Sequence, residues 1–152
     1  MTGGPEFPVA APVPRRILKV CLGNYCRSPL AAAVLAQHGG SAVEARSAGI
    51  VDKWVGGPAH PAMIDAAAAH GYDLTRHRAV QVSPALMAWA DLILAMDHSI
   101  LATLRDLADD HTAAKLALYL DDQDVADPYG QDEQAFAVCV EVIERGAWRH
   151  LA

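Results

Sequence analysis

The chain has too few cysteines for a disulfide scaffold: three among 152 residues, an odd number without framework spacing. No Cys/His spacing suggests a zinc site. No apolar run approaches the roughly 18 residues that crossing a bilayer requires. Basic residues are scarce too. Twelve Lys and Arg stand against eighteen Asp and Glu, a net charge of −6. That balance argues against a nucleic-acid or anionic-membrane surface, but it leaves room for a local pocket that takes a small anion. There are no internal repeats and no signs of a second domain. Residues 1–15 hold four of the nine prolines. They lack a basic stretch followed by an apolar helix, so no signal peptide is expected. They read as a disordered tail ahead of one domain over 16–152. With 53% apolar and 20% charged residues, that domain can bury a real core. The expected compartment is the reducing cytoplasm.

What is present is an alternation of strand and helix signals. Ile17 to Val20 reads as a short strand, and Ser28-Pro29 as a helix start with Ser as cap and Pro at the first helical position. That helix runs to Gln37 and stops at Gly39-Gly40. Val43 to Arg46 is the next strand, and Pro61 to His70 an alanine-rich helix stopped by Gly71. A helix starts at Ser83-Pro84 and runs to about Trp89. Leu92 to Ala95 reads as a buried strand, and Asp97 caps a helix to about Ala108. Leu116 to Leu120 is a strand, and Glu133 to about Leu151 a long closing helix. Alternating elements predict an α/β domain, a parallel sheet with helices on both faces. Ligands of such sheets sit at the carboxyl ends of the strands.

The stretch Cys21-Leu22-Gly23-Asn24-Tyr25-Cys26-Arg27-Ser28-Pro29 lies at the first strand-to-helix junction. Free N–H groups and the helix dipole make that junction an anion site. Gly23 and Asn24 are types that readily take left-handed backbone geometry, as an amide nest requires. Amides around Cys21 favour its thiolate. Arg27 can fork two N–H groups onto a phosphate, which Lys cannot do. The Ser28 hydroxyl can cap the helix and donate to a leaving thiolate. Together these residues predict thiolate attack on a phosphate ester. Taken singly, each is an ordinary strand-end Cys, surface Arg or helix cap.

After the last strand comes Asp121-Asp122-Gln123-Asp124-Val125-Ala126-Asp127-Pro128-Tyr129-Gly130, at the same sheet edge as the cysteine loop. An aryl phosphate needs an acid to protonate a phenolate of pKa about 10. Asp127 is the candidate, with Tyr129 as an aromatic wall. Asp121, Asp122 and Asp124 read as a solvated turn. Spacing alone leaves Asp127 balanced between the two roles.

The nine-residue loop, Ser47-Ala48-Gly49 and Asp127-Pro128-Tyr129 together resemble the low-molecular-weight protein tyrosine phosphatases, in the bacterial branch, from about Arg16 to about His150. The resemblance implies a four-stranded parallel sheet with the phosphate-binding loop after the first strand. It implies a cysteinyl-phosphate formed on Cys21, with Arg27 and the amides of the Leu22–Cys26 loop holding the phosphate. Asp127 serves as acid and then as base, and no metal or cofactor takes part. Asn24, Ser28, Ser47 and His77 match a polar network that supports the loop. Trp54 falls where a wall opposite Tyr129 stands, although ordinary loop packing explains it equally well. Cys26 matches a residue that pairs reversibly with an oxidised nucleophile, and Cys139 reads as core. The implied partner is a phosphotyrosine protein, either a bacterial tyrosine kinase or a host protein. The implied enzyme is a monomer or a weak dimer. Tyr25 departs from the family, which usually carries an aliphatic residue there.

Three other readings share the loop. An arsenate reductase needs two further cysteines in a mobile segment, and none lies between Arg27 and Val138. A protein-arginine phosphatase resembles this chain but carries Thr at the position of Tyr25. A silent phosphotyrosine-binding module would lack the nucleophile or the acid, and Cys21 and Asp127 are both present.

Overall fold

The computed structural model describes residues 13–151; most of the expected tail, residues 1–12, lies outside them. Four strands form one parallel sheet in the order β2-β1-β3-β4. They are β1 (Arg15–Cys21), β2 (Val43–Gly49), β3 (Leu92–Ala95) and β4 (Leu116–Leu118). Strand β1 is longer than the apolar run predicts. Arg15 and Arg16, the first expected in the tail, already pair with Val43 and Glu44. Strand β2 likewise continues through Ser47-Ala48-Gly49, in register with Lys19-Val20-Cys21.

Helices cover both faces: α1 (Arg27–Gly39), α2 (Pro61–Ala69), α3 (Pro84–Trp89), α4 (His98–Leu107), α5 (Asp110–Ala113) and α6 (Glu133–Ala147). Strand alternation sorts the core into two layers. Ile17 and Cys21 face Leu30, Val34, Phe136 and Ile143 of α1 and α6. Leu18 and Val20 face Met87, Ile100 and Leu104 of α3 and α4. Burial on both sides explains why the strands read as continuous apolar runs. Lys19 breaks that run yet has no exposed surface. Its Nζ donates to the Ile17 carbonyl at 2.7 Å, and burial pushes its pKa well below the ordinary 10.5.

Boundaries moved where local chemistry competed. The long C-terminal helix ends at Ala147 and finishes as a 3₁₀ turn over Trp148–His150. Strand β4 stops at Leu118, and the Tyr119 hydroxyl turns inward to donate to the Ile143 carbonyl at 2.7 Å. Helix α5 was not expected; Asp109 and Thr112 close it with a reciprocal capping box. Asp97 and Ser83 cap α4 and α3 as their types predict. The strand order puts the end of β1 at the centre of the sheet, flanked by the ends of β2 and β3. The segment after β4 returns to the same edge.

Candidate active site

Helix α1 starts at Arg27, with Cys26 as its flanking residue and no side chain capping it. Ser28 therefore does not act as the expected N-cap. Its hydroxyl is engaged elsewhere, 3.0 Å from Cys21 Sγ and 3.3 Å from the Ala48 carbonyl that it donates to. The uncapped first turn leaves backbone donors free to face an anion.

Asn24 holds the loop in shape. It takes a left-handed φ of 54°, a conformation that Asn tolerates. Its Nδ2 donates to Ser28 Oγ and Ser47 Oγ, both at 2.9 Å. Its Oδ1 accepts from the Val80 amide at 2.9 Å, and its carbonyl accepts from His77 Nε2 at 2.8 Å. Asn24, Ser28, Ser47 and His77 thus meet behind the loop as one network. Burial lowers the His77 pKa below 6.5, so the ring is a neutral donor near pH 7. Gly23 is needed for space rather than for its dihedral angles. A Cβ there would overlap the Trp54 ring.

Arg27 is 2% exposed. Its Nη1 donates to Asp97 Oδ2 at 2.7 Å and to the Val125 carbonyl at 2.8 Å, while Nη2 lies 3.6 Å from Asp127 Oδ2. With Nη1 engaged, the Nε and Nη2 edge is the one free to fork onto an anion. Burial opposes the charge, but the Asp97 hydrogen bond and the groups around it outweigh that and raise the Arg27 pKa. Asp97 also belongs to the site through Arg27, although its sequence context reads only as a helix cap. Its Oδ1 does cap α4, accepting from Ile100 N at 2.8 Å, and its other oxygen orients Arg27. The available signal was its place, directly after Met96 at the end of β3.

Cys21, Leu22, Gly23, Tyr25, Cys26, Arg27, Trp54, Asp127 and Tyr129 all line one cleft of about 470 Å³. Val51 and Lys53 complete it, and neither was predicted. Tyr25 stacks flat on Trp54, with centroids 4.6 Å apart and planes 9° apart. Tyr129 stands edge-on to Trp54 at 5.5 Å, and His60 tilts against Tyr25 at 5.0 Å. The walls are aromatic and the floor is polar. The Asp127 carboxylate accepts from the Tyr129 amide at 3.1 Å, an Asx turn that fixes it at the cleft edge. Cys21 and Cys26 are both free and buried. Burial, then the charges of Asp127 and Cys21, push the Cys26 pKa strongly up, so it remains a thiol. Cys139 lies in the core as expected, its pKa pushed up to about 12 by burial.

A sulfur at the mouth of an amide-lined turn, with a guanidinium fork beside it and a carboxyl facing it, can displace an alcohol from a phosphate monoester. Fold and cleft thus define a cysteine-dependent phosphoric monoester hydrolase. Residues 16–152 match the family of low molecular weight phosphotyrosine protein phosphatases, and the chain belongs to that family. It is 39% identical to a probable low molecular weight protein-tyrosine-phosphatase, EpsP, of Ralstonia nicotianae, over 88% of this chain and 93% of that protein. Among solved structures it is similar to Vibrio vulnificus Wzb in complex with benzylphosphonate, with a TM-score of 0.85 and 31% identity, covering 90% of this chain and 97% of that one. The YwlE arginine phosphatase from Geobacillus stearothermophilus superposes with a TM-score of 0.85 at 29% identity, covering 91% of each chain. The fold is therefore common to tyrosine and arginine phosphatases, and the lining of the cleft must separate them.

Proposed function

We propose that this protein hydrolyses phosphotyrosine in proteins, with Cys21 as nucleophile, Arg27 as anion fork and Asp127 as acid and base. The observation that supports this best is the gathering of Cys21, the free edge of Arg27 and the Asp127 carboxyl around one aromatic-walled cleft. In the first step the Cys21 thiolate attacks phosphorus. The S–P bond forms, the P–O bond to the phenol breaks, and Asp127 delivers its proton to the departing oxygen. Arg27 and the first-turn amides hold the equatorial oxygens, where fixed donors stabilise developing charge. In the second step Asp127, now a carboxylate, takes a proton from water as that water attacks phosphorus. The S–P bond breaks, and the Ser28 hydroxyl donates to the returning thiolate. Splitting one displacement into two is the gain of covalent catalysis.

The stacked Tyr25 and Trp54 with Tyr129 give a phenyl ring apolar faces to lie against, which favours an aryl ester over a guanidino phosphate. On this reading the partner is a tyrosine-phosphorylated protein, a bacterial tyrosine kinase or a host protein, and the enzyme works in the cytoplasm. Phosphotyrosine and phosphoarginine peptides at equal concentration test the choice; faster turnover of phosphoarginine rejects it.

The roles are tested by substitution. Cys21→Ser should bind phosphate but not turn over p-nitrophenyl phosphate; residual turnover above background rejects the thiolate. Asp127→Ala should lower kcat by about 10²- to 10⁴-fold, the range of general acid catalysis, and most for phenols of high pKa. A uniform loss across leaving groups removes Asp127 from the acid role. Peroxide should oxidise the Cys21 thiolate to a sulfenic acid. The Cys26 thiol then attacks that sulfur and expels water, leaving a disulfide that dithiothreitol reduces. Equal recovery of Cys26→Ala after peroxide and dithiothreitol rules this out.

A further inference from the structure

On the far side of the Gly49–Val51 wall lies a second groove, about 540 Å³, lined by Arg46, Ser47, Arg78, Gln81 and Trp89 among others. The Arg46 guanidinium lies over the Trp89 ring at 4.5 Å, and Arg16 flanks the same ring at 5.8 Å. In a chain of net charge −6, Arg46 and Arg78 line this groove and Arg16 lies beside it. Two carboxylates are close by: Glu44, and Asp91, whose Oδ2 accepts from the Arg16 amide at 2.8 Å. Glu44 lies 3.9 Å from both Arg16 and Arg46, beyond hydrogen-bond length. Arg78 has no acidic partner within 4 Å among the described residues, and its Nη1 donates only to the His77 carbonyl at 2.8 Å. With the ring taking the flat face of Arg46, Glu44 near only its Nη2, and Arg78 engaged only through Nη1, both guanidinium groups keep N–H donors for a ligand.

Strand register connects this groove to the catalytic cleft. Cys21 pairs with Gly49, and Gly49 bridges Gln81. Gln81 is therefore two strand spacings, about 10 Å, from Cys21. Gln81 Nε2 also donates to the Ile50 carbonyl at 3.1 Å, and the next residue, Val51, lines the cleft. An extended peptide rises about 3.3 Å per residue, so a chain leaving the cleft over this wall reaches the near rim of the groove at Gln81 in about three residues. Arg46, three strand positions before Gly49, lies a few residues beyond it.

We propose that the groove docks an acidic stretch of the phosphoprotein substrate, about three to six residues from the phosphotyrosine. The proposal rests on the phosphotyrosine reading and adds a second recognition site to it. Carboxylates, with their bidentate geometry, suit the guanidinium edges, while the overall negative charge of the chain disfavours a long polyanion such as nucleic acid. A phosphotyrosine in the cleft holds the segment close to the groove, so the groove adds to substrate affinity through effective concentration.

Steady-state kinetics on three phosphotyrosine peptides of equal length test it: one with glutamates on the N-terminal side, one with glutamates on the C-terminal side, and one with glutamine at all those positions. One acidic peptide should show a kcat/KM about five- to tenfold above the neutral one, the size expected of a few exposed ion pairs, carried by KM. The double variant R46Q/R78Q should erase that ratio, as should about 0.5 M salt acting on the wild type, because exposed charges are screened. p-Nitrophenyl phosphate, which has no chain to reach the groove, reports in parallel whether the cleft itself is intact. Equal rates for all three peptides overturn the proposal, and so does a preference that survives R46Q/R78Q or high salt. A wild-type protein inert toward p-nitrophenyl phosphate sinks the phosphatase reading instead. Anisotropy of the same labelled peptides then tests the groove by itself, with equal affinity for acidic and neutral peptides rejecting it.

Discussion

Asp97 divides its two carboxylate oxygens between two tasks, capping α4 through Oδ1 and holding Arg27 through Oδ2. Asn caps helices about as well as Asp, so Asp97→Asn separates these tasks. It keeps the cap, removes the charge and turns an NH₂ toward the guanidinium. Misplacing a transition-state donor by about 1 Å costs up to roughly 10²-fold. Asp97→Asn should therefore lower kcat about 10- to 100-fold, weaken phosphate binding and also lower the melting temperature, because the buried guanidinium loses its carboxylate partner. Steady-state kinetics with thermal melts check this, and an unchanged kcat shows that Arg27 keeps its pose without the carboxylate. Cys21 and Arg27 stood out by residue type and spacing, because a cysteine and an arginine so placed at a strand-to-helix junction are rare. Spacing left Asp127 even between an acid and a solvated turn, and only the family resemblance favoured the acid. Asp97 did not stand out, since one residue type serves equally as cap and as second partner. The Ser28 error has the same origin. Ser beside Pro at a helix start has the composition of a cap, but a thiol and an amide compete for its hydroxyl.

Between elements, β2 presses closely on the loop that follows β1. A Cβ on Gly49 would meet the Gly23 carbonyl carbon at 2.6 Å and the Asn24 nitrogen at 2.7 Å. Both are backbone atoms, and they cannot swing aside as a side chain does. Gly49→Ala should destabilise the fold by about 1–3 kcal/mol through overpacking. It should also depress activity beyond that, because the displaced segment carries the anion-binding amides. Urea unfolding alongside p-nitrophenyl phosphate kinetics measures both, and wild-type values for both would show that the loop has slack. The helix and strand alternation was readable because helix and strand periods differ and caps punctuate them. Element ends were less readable. Continuation of β2 through Ser47-Ala48-Gly49 depends on β1 lying alongside to pair with it, and the start of β1 at Arg15 depends on the same pairing.

At the scale of the molecule, two histidines make stability depend on pH. His77 donates to the Asn24 carbonyl and His150 to the Tyr119 carbonyl at 2.7 Å. Burial lowers both pKa values below the ordinary 6.5. Between those depressed values and 6.5 the unfolded chain binds more protons than the folded one, so stability rises with pH across that window. It is fully present above about 6.5 and is lost as pH falls toward the folded values. Urea midpoints should therefore fall between pH 7 and pH 5.5, and less steeply in His150→Gln; equal midpoints in the wild type show that these rings titrate normally. The sequence by itself determined the α/β class, the cysteine loop and the late Asp-Pro-Tyr, because strand and helix periods, capping types and nucleophile spacing are local properties of a chain. The tertiary structure alone decided which groups hold Arg27 and Asn24, that Tyr25 lies flat on Trp54, and that Arg46 and Arg78, from separate segments, share one groove. Those depend on strand register and order, which bring together residues far apart in sequence and so leave no mark at any single position.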